Sequence, residues 1–365
     1  MSGIRLERVS KVFPGGNQAV KDISLEVKHD ELLVLTGPSN CGKSTLLRLI
    51  AGLDDITTGE IFVDGQLANY TDPIERNIAI VYQDLTLYPN MTVWGNIEFG
   101  LKFSKNKSKH LKENIKHVTE MLEINDLLQK LPQHLDIYQK QRVAFAKAAV
   151  KSPKVFLIDR VCTSCDDDTK IGLYEEIISL WNKLKKTTIV AIDSNMIPVD
   201  TMGRIAVMNN GSIEQIDTYS NIYNVPCNKF VAGFVGKGKT SFINAKVCKD
   251  NEMVVLKIGN NLLSLRADKL ESITNNGYIG RDIIIALRPE DIILGKNIND
   301  KGCIHAKVDA VETMKGETFI HMVTEGISFF VKSSEKLVCG RGEEITASVD
   351  TNKILLFDKD TEKLI

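Results

Sequence analysis

The chain has 365 residues, 43% apolar and 25% charged, an ordinary balance for a soluble globular protein with room for two or three domains. Its formal net charge of −1 provides no global field to hold nucleic acid or anionic lipid. No apolar run reaches the length that spans a bilayer and the N-terminus lacks a signal-peptide pattern. The expectation is a cytosolic protein, or one lying peripherally on the cytosolic face of a membrane. Seven scattered cysteines, an odd number, do not read as a disulfide framework. Cys162 and Cys165 form an isolated C-x-x-C with no second pair nearby, so coincidence is favoured there over metal or redox function.

In chain order, Leu32-Leu33-Val34-Leu35 is a short apolar run of the kind buried on both faces of a sheet. It leads into Gly37-Pro38-Ser39-Asn40-Cys41-Gly42-Lys43-Ser44-Thr45, a match to the phosphate-binding pattern G-x-x-x-x-G-K-[ST]. Leu46, Leu47, Leu49 and Ile50 then give a helical apolar face, so the strand-loop-helix context that the pattern requires is present. The two glycines let the backbone curl until successive N–H groups converge on phosphate oxygens. The helix start adds positive partial charge. Lys43 suits the β- and γ-phosphates of a nucleotide, and Ser44 suits Mg²⁺.

Further along, Leu111, Ile115, Val118 and Leu122 recur at helical spacing, with Lys112, Glu113 and Lys116 on the opposite face. Residues 155–159 read as a buried strand ending in Asp159, and residues 188–192 as another. Alternating strands and helices over residues 1–235 imply an α/β domain, with a helical subdomain at about 88–150. Gly236-Lys237-Gly238-Lys239 reads as a linker. Beyond it come short β-rich runs at 253–258, 282–287, 305–311, 318–323 and 329–331, with turn residues such as Asn275-Asn276-Gly277 between runs. That texture suggests a small all-β barrel over residues 236–365.

Several phrases then carry a family resemblance over essentially the whole length. They are the phosphate loop, Val81-Tyr82-Gln83-Asp84, Leu87-Tyr88-Pro89-Asn90-Met91-Thr92-Val93, and Arg204-Ile205-Ala206-Val207-Met208-Asn209-Asn210-Gly211. Phe230-Val231-Ala232-Gly233-Phe234-Val235 and Leu287-Arg288-Pro289-Glu290-Asp291 narrow the match. The chain resembles the ATPase subunits of ATP-binding-cassette importers of the maltose, multiple-sugar and glycerol-phosphate type. That resemblance implies an α/β P-loop domain and an oligonucleotide-fold-like regulatory barrel. It implies binding of ATP and Mg²⁺ through Phe13, Gly37, Pro38, Ser39, Asn40, Cys41, Gly42, Lys43, Ser44, Thr45, Gln83 and Asp159, with Ser44, Gln83 and Asp159 around the metal. Phe13 would stack on adenine; the other reading is a core aromatic at a strand end. Residues 84–94 would form the wall that receives a helix of a transmembrane permease. A solute-binding protein would act indirectly, and the second cassette would be an identical or a different subunit, with no nucleic acid involved.

Three positions depart from the family pattern. Where the family has Leu-Ser-Gly-Gly-Gln, this chain has Leu135-Asp136-Ile137-Tyr138-Gln139. A carboxylate replaces a hydroxyl that meets phosphate, and bulk replaces glycine; Asp136 should still cap the following helix well. Asp159 is followed by Arg160 where the family has a glutamate that polarises the attacking water. A guanidinium has no acceptor, and loss of a positioned base costs about 10²–10⁴ in rate. Arg160 is left three roles, an ion pair with Asp159, a phosphate contact or solvation. The family's switch histidine falls at Asp193 or Ser194, and no histidine occurs between 135 and 304. The expectation is an importer subunit that holds ATP with hydrolysis weakened or lost. The alternatives are a pseudo-ATPase that regulates a permease or partner subunit, and a soluble cassette protein acting on nucleic acid or ribosomes, which the near-zero charge disfavours.

Overall fold

A computed structural model describes residues 2–82, 87–101, 111–160, 165–192, 203–236, 239–250, 253–295, 302–314, 317–333 and 340–365. The chain divides into two compact units, Met1–Tyr219 and Ser220–Ile365.

The first unit is built on a six-stranded sheet in the order Ser212–Asp217, Arg204–Asn209, Leu32–Thr36, Thr187–Ile192, Val155–Asp159 and Ile78–Tyr82. All neighbours are parallel except the outer hairpin formed by the first two. The central strands are buried along their length, the pattern expected of parallel strands covered on both faces. A second, antiparallel sheet joins Gln18–Lys28, Ser2–Val12, Thr58–Val63 and Gln66–Leu67. Its apolar face and the central sheet share one core with the helix Lys43–Ala51, whose Leu46, Leu47, Leu49 and Ile50 are fully buried as the sequence pattern implied. That helix ends on Gly52 with φ +77, and the buried Arg76 donates to the carbonyls of Leu49 and Ile50 at 2.9 Å each. A guanidinium at this end satisfies orphan carbonyls and complements the helix dipole.

Among the described residues, three further α-helices lie between residues 93 and 149, Val93–Leu101, Leu111–Met121 and Ile137–Ala149. Ile115, Val118 and Leu122 face inward while Lys112, Glu113 and Lys116 are exposed, as the periodicity implied. Ile137–Ala149 opens on a capping box. Asp136 Oδ1 accepts from the Gln139 backbone N–H at 2.7 Å, and Gln139 Oε1 accepts from the Asp136 N–H at 3.2 Å. The departure at Asp136 thus leaves the helix start satisfied.

The second unit contains two five-stranded antiparallel sheets. One runs Asn261–Ser264, Met253–Ile258, Ser241–Asp250, Asp282–Leu287, Leu355–Asp358. The other runs Ile292–Gly295, Glu344–Val349, Cys303–Met314, Glu317–Thr324, Ile327–Ser333. Inward side chains of both, including Val247, Leu256, Ile285, Ile304, Met322 and Phe329, merge into one core. Each β-rich run expected here lies on a strand. A helix, Ala267–Asn275, precedes the turn at 275–277.

Because both tryptophans, Trp94 and Trp181, belong to the first unit, their fluorescence follows its unfolding alone. In urea titrations Asp136→Ala is expected to lower that unit's stability by about 1 kcal/mol, and Asp136→Asn to leave it nearly unchanged. Equal losses in both variants would show that the cap is not the source.

Candidate functional site

The phosphate-loop residues form a turn that only glycine could make at two points. At Gly37, φ is +153 and a Cβ would stand 2.2 Å from the Met208 carbonyl oxygen. At Gly42, φ is +108 and a Cβ would stand 2.3 Å from the Ala19 carbonyl oxygen. Approaches this short exclude every side chain, whatever the backbone energy. The loop is also tied across its back, where Gly211 N–H donates to the Cys41 carbonyl at 2.9 Å. Cys41 is buried, and Asn40 takes a left-handed φ of +64, a conformation asparagine tolerates.

Lys43, the first residue of the helix, is 3% exposed. Its ammonium donates to the Gly37 and Pro38 carbonyls at 2.9 and 2.8 Å and lies 3.5 Å from Cys41 Sγ. The cation is therefore held on carbonyls of its own loop. Ser44 Oγ donates to Asp159 Oδ1 at 2.8 Å, across 115 positions of sequence. Two hard oxygen donors meet there, the chemistry Mg²⁺ selects. The glycine cradle fits phosphate oxygens, and the Ser44 and Asp159 oxygens fit the metal.

Arg160 enters the same place. Its backbone is left-handed, with φ +54, and its N–H donates to the Ala191 carbonyl at 3.1 Å. Its Nε stands 3.6 Å from Asp159 Oδ1, the oxygen that also accepts from Ser44. The ion pair with Asp159, one of the roles left open for Arg160, is present. Next in the sheet, Tyr82 lies opposite Asp159, and burial pushes its hydroxyl above the ordinary range, keeping it neutral. Arg48, one turn along the helix, makes a two-point bond to Asp54 at 2.7 and 3.1 Å; this raises the guanidinium and lowers the carboxyl.

The remaining expected residues are more dispersed. Phe13 is half-buried at the start of the hairpin turn after Ser2–Val12, with Lys11 Nζ 5.1 Å over its ring. Among the described residues no hydrogen bond or ion pair joins residues 135–139 to the loop. Leu135 is buried, while Tyr138 lies over Gly172 of the helix Asp167–Leu184, so that a Cβ at 172 would stand 2.6 Å from its hydroxyl. Gln83, Asp84, Asp193, Ser194 and Cys162 lie outside the described residues. Cys165 is disulfide-bonded.

One contributor had no sequence signal. Asn96, fully buried, accepts from the Tyr88 N–H at 2.7 Å and donates to the carbonyls of Tyr88, Met91 and Thr92 at 3.1 Å each. It moulds residues 88–92 into one shape, with Tyr88 edge-on to Phe99 and under the Lys147 ammonium. An asparagine inside a helix pattern advertises nothing of this until the loop folds back on it.

Comparison with known proteins agrees with this geometry. The family model described as ABC transporter matches residues 20–163. The chain is 34% identical to the oligosaccharides import ATP-binding protein MsmX of Bacillus subtilis, over 99% of both chains. It is 36% identical to the trehalose/maltose import ATP-binding protein MalK of Thermococcus litoralis over the full length of both. It is 35% identical to the sn-glycerol-3-phosphate import ATP-binding protein UgpC of Bartonella bacilliformis over 99% of both. Among solved structures, cbiO1 of Clostridium perfringens, part of the ABC transporter complex cbiONQ, superposes with a TM-score of 0.55. Sequence identity there is 23%, and the match covers 60% of this chain and 88% of that one. The ADP conformation of MJ1267, an ATP-binding cassette of an ABC transporter, gives 0.55 at 23% identity, covering 62% and 96%. These two share the cassette fold. No helix among the described residues is long and apolar enough to cross a membrane. On its full-length identity to these relatives, the chain belongs to the ABC transporter family, among its import ATP-binding proteins.

Proposed function

We propose that this chain is the ATP-binding subunit of a solute importer, that it binds ATP, and that its hydrolysis is weakened or lost. The solute class follows from the relatives, which import oligosaccharides, trehalose and maltose, or glycerol 3-phosphate. A sugar or related carbohydrate is the reading adopted. The subunit sits on the cytoplasmic face of the membrane and docks on permease subunits through residues 84–94, a role that the Asn96-moulded surface at 88–92 supports.

The observation that carries the reading is an intact cradle next to a cation at the position of the family's base. Gly37, Gly42, Lys43 and Ser44 retain what phosphate binding needs. Phe13, Pro38, Ser39, Asn40, Cys41, Thr45, Gln83 and Asp159 complete the proposed ATP site, with Ser44, Gln83 and Asp159 holding Mg²⁺. When bound, Mg²⁺ supplies charge neutralisation at the β- and γ-phosphates. Arg160 accepts no proton at any ordinary pH and engages the carboxylate that Mg²⁺ would use.

In this family each nucleotide lies between one subunit's loop and the other's signature. Asp136 would bring negative charge toward a polyanion, and Tyr138 adds bulk where glycine allows close approach. Pairing with a competent second cassette leaves one site with Arg160 and the other facing Asp136, so both stay impaired. These two residues also favour the second reading, a nucleotide-binding regulator of a permease or partner subunit. Action on nucleic acid or ribosomes has no support in a chain of net charge −1.

Steady-state phosphate release by the purified chain is expected to match that of Lys43→Ala, while the wild type alone binds ATP; robust turnover would overturn the reading. Arg160→Glu is expected to raise turnover by less than about tenfold, since the base is only one of three altered positions. A larger recovery would show that 136–138 and 193–194 do not limit the rate. With Arg160 already supplying a cation at Asp159, replacing Mg²⁺ by EDTA should weaken nucleotide binding by less than about tenfold, and by more than that in Arg160→Ala. An equal requirement for Mg²⁺ in both proteins would remove Arg160 from the charge balance.

A further inference from the structure

The second unit holds a cavity of about 460 Å³, within the size range of small-molecule sites. Its walls include Arg288 and Glu290, from the phrase Leu287-Arg288-Pro289-Glu290-Asp291 that nucleotide binding does not use. Arg288 is 4% exposed. Its guanidinium carbon lies over the Tyr223 ring, 3.5 Å from the centroid, and one terminal nitrogen donates to the Tyr223 carbonyl. That is its only side-chain hydrogen bond among the described residues, and its Nε is buried with no acceptor.

The nearby carboxylates are engaged elsewhere. Glu290 accepts from the Tyr223 hydroxyl at 2.5 Å, and Asp291 pairs with Lys353 at 2.9 Å. Burial and the bond to Glu290 push the Tyr223 hydroxyl well above its ordinary range, so it stays a neutral donor and offers Arg288 no phenolate. A buried cation bonded only to a neutral carbonyl and an aromatic face is costly, and an anion in hydrogen-bond reach relieves that cost. Lys269 adds to the lining an ammonium group that also donates to the Ile354 carbonyl, while Leu356 and Leu364 give it an apolar side. Such a mixture suits a charged head on a carbon skeleton rather than a bare ion.

We propose that this cavity binds a small organic oxyanion, a carboxylate or a phosphate monoester, paired with the Arg288 guanidinium. The planar fork of arginine matches either group. The site is independent of the nucleotide reading and lies wholly within Ser220–Ile365.

The test uses the full chain labelled with ¹⁵N, titrated with glucose 6-phosphate, glycerol 3-phosphate and citrate, with glucose and glycerol as uncharged controls. The Arg288 Nε–H resonance is expected to shift saturably with at least one oxyanion and with neither control. Phosphate esters and citrate separate the two head groups. Arg288→Gln is expected to weaken binding by at least about tenfold, the scale of a lost charged hydrogen bond. Should that variant fail to fold, Lys269→Gln serves as the second, with a smaller loss expected. An Arg288 resonance unmoved by all three oxyanions, or moved equally by the uncharged controls, would overturn the proposal.

Discussion

Two carbonyl oxygens, those of Met208 and Ala19, press against the phosphate loop so closely that positions 37 and 42 can carry no Cβ. The loop's shape is therefore imposed by backbone from distant parts of the chain, before any ligand interaction is considered. From that shape follow the storage of the Lys43 ammonium on its own loop carbonyls and the reach of Ser44 to Asp159. The shared core beneath, with Leu46, Leu47, Leu49 and Ile50 at its centre, anchors the helix that begins there. Arg76 closes the helix at its other end.

On this platform the proposed change in chemistry begins with charge. Arg160 sets a positive group beside Asp159, at a strand end where that carboxylate already accepts from Ser44. The sheet accommodates the change without loss of register, since Val155–Asp159 still pairs with both neighbours along its length. Asp136, proposed to stand in the signature, completes a capping box. Fold and phosphate chemistry are separable here because helix caps and strand pairing ask only for a hydrogen-bonding pattern, whereas hydrolysis asks for particular groups at particular charges.

Much of the first unit could be read from the chain because its signals are local. The apolar runs at 32–35, 155–159 and 188–192 are long enough and bounded sharply enough to be strands, and the loop glycines sit at a fixed spacing. Asp136 was legible as a cap because capping depends on a residue three positions away. What was not legible depends on partners far off in sequence. Nothing in Met208 or Ala19 marks them as the walls of the loop, since the groups involved are main-chain carbonyls. Arg76 and Asn96 look like ordinary surface residues until the segments they bind fold over them. The helix Ala267–Asn275 escaped notice because one short amphipathic stretch among strands lacks the length that makes periodicity decisive.

The contact between Tyr138 and Gly172 sets two kinds of glycine apart. A Cβ at 172 would meet the Tyr138 hydroxyl at 2.6 Å, the free end of an exposed side chain that can swing into solvent. At 37 and 42 the opposing atoms are main-chain carbonyl oxygens, which cannot move without moving the strands that carry them. A larger residue at 172 would therefore turn one ring on the outside of the unit, whereas a larger residue at 37 or 42 would unmake the loop.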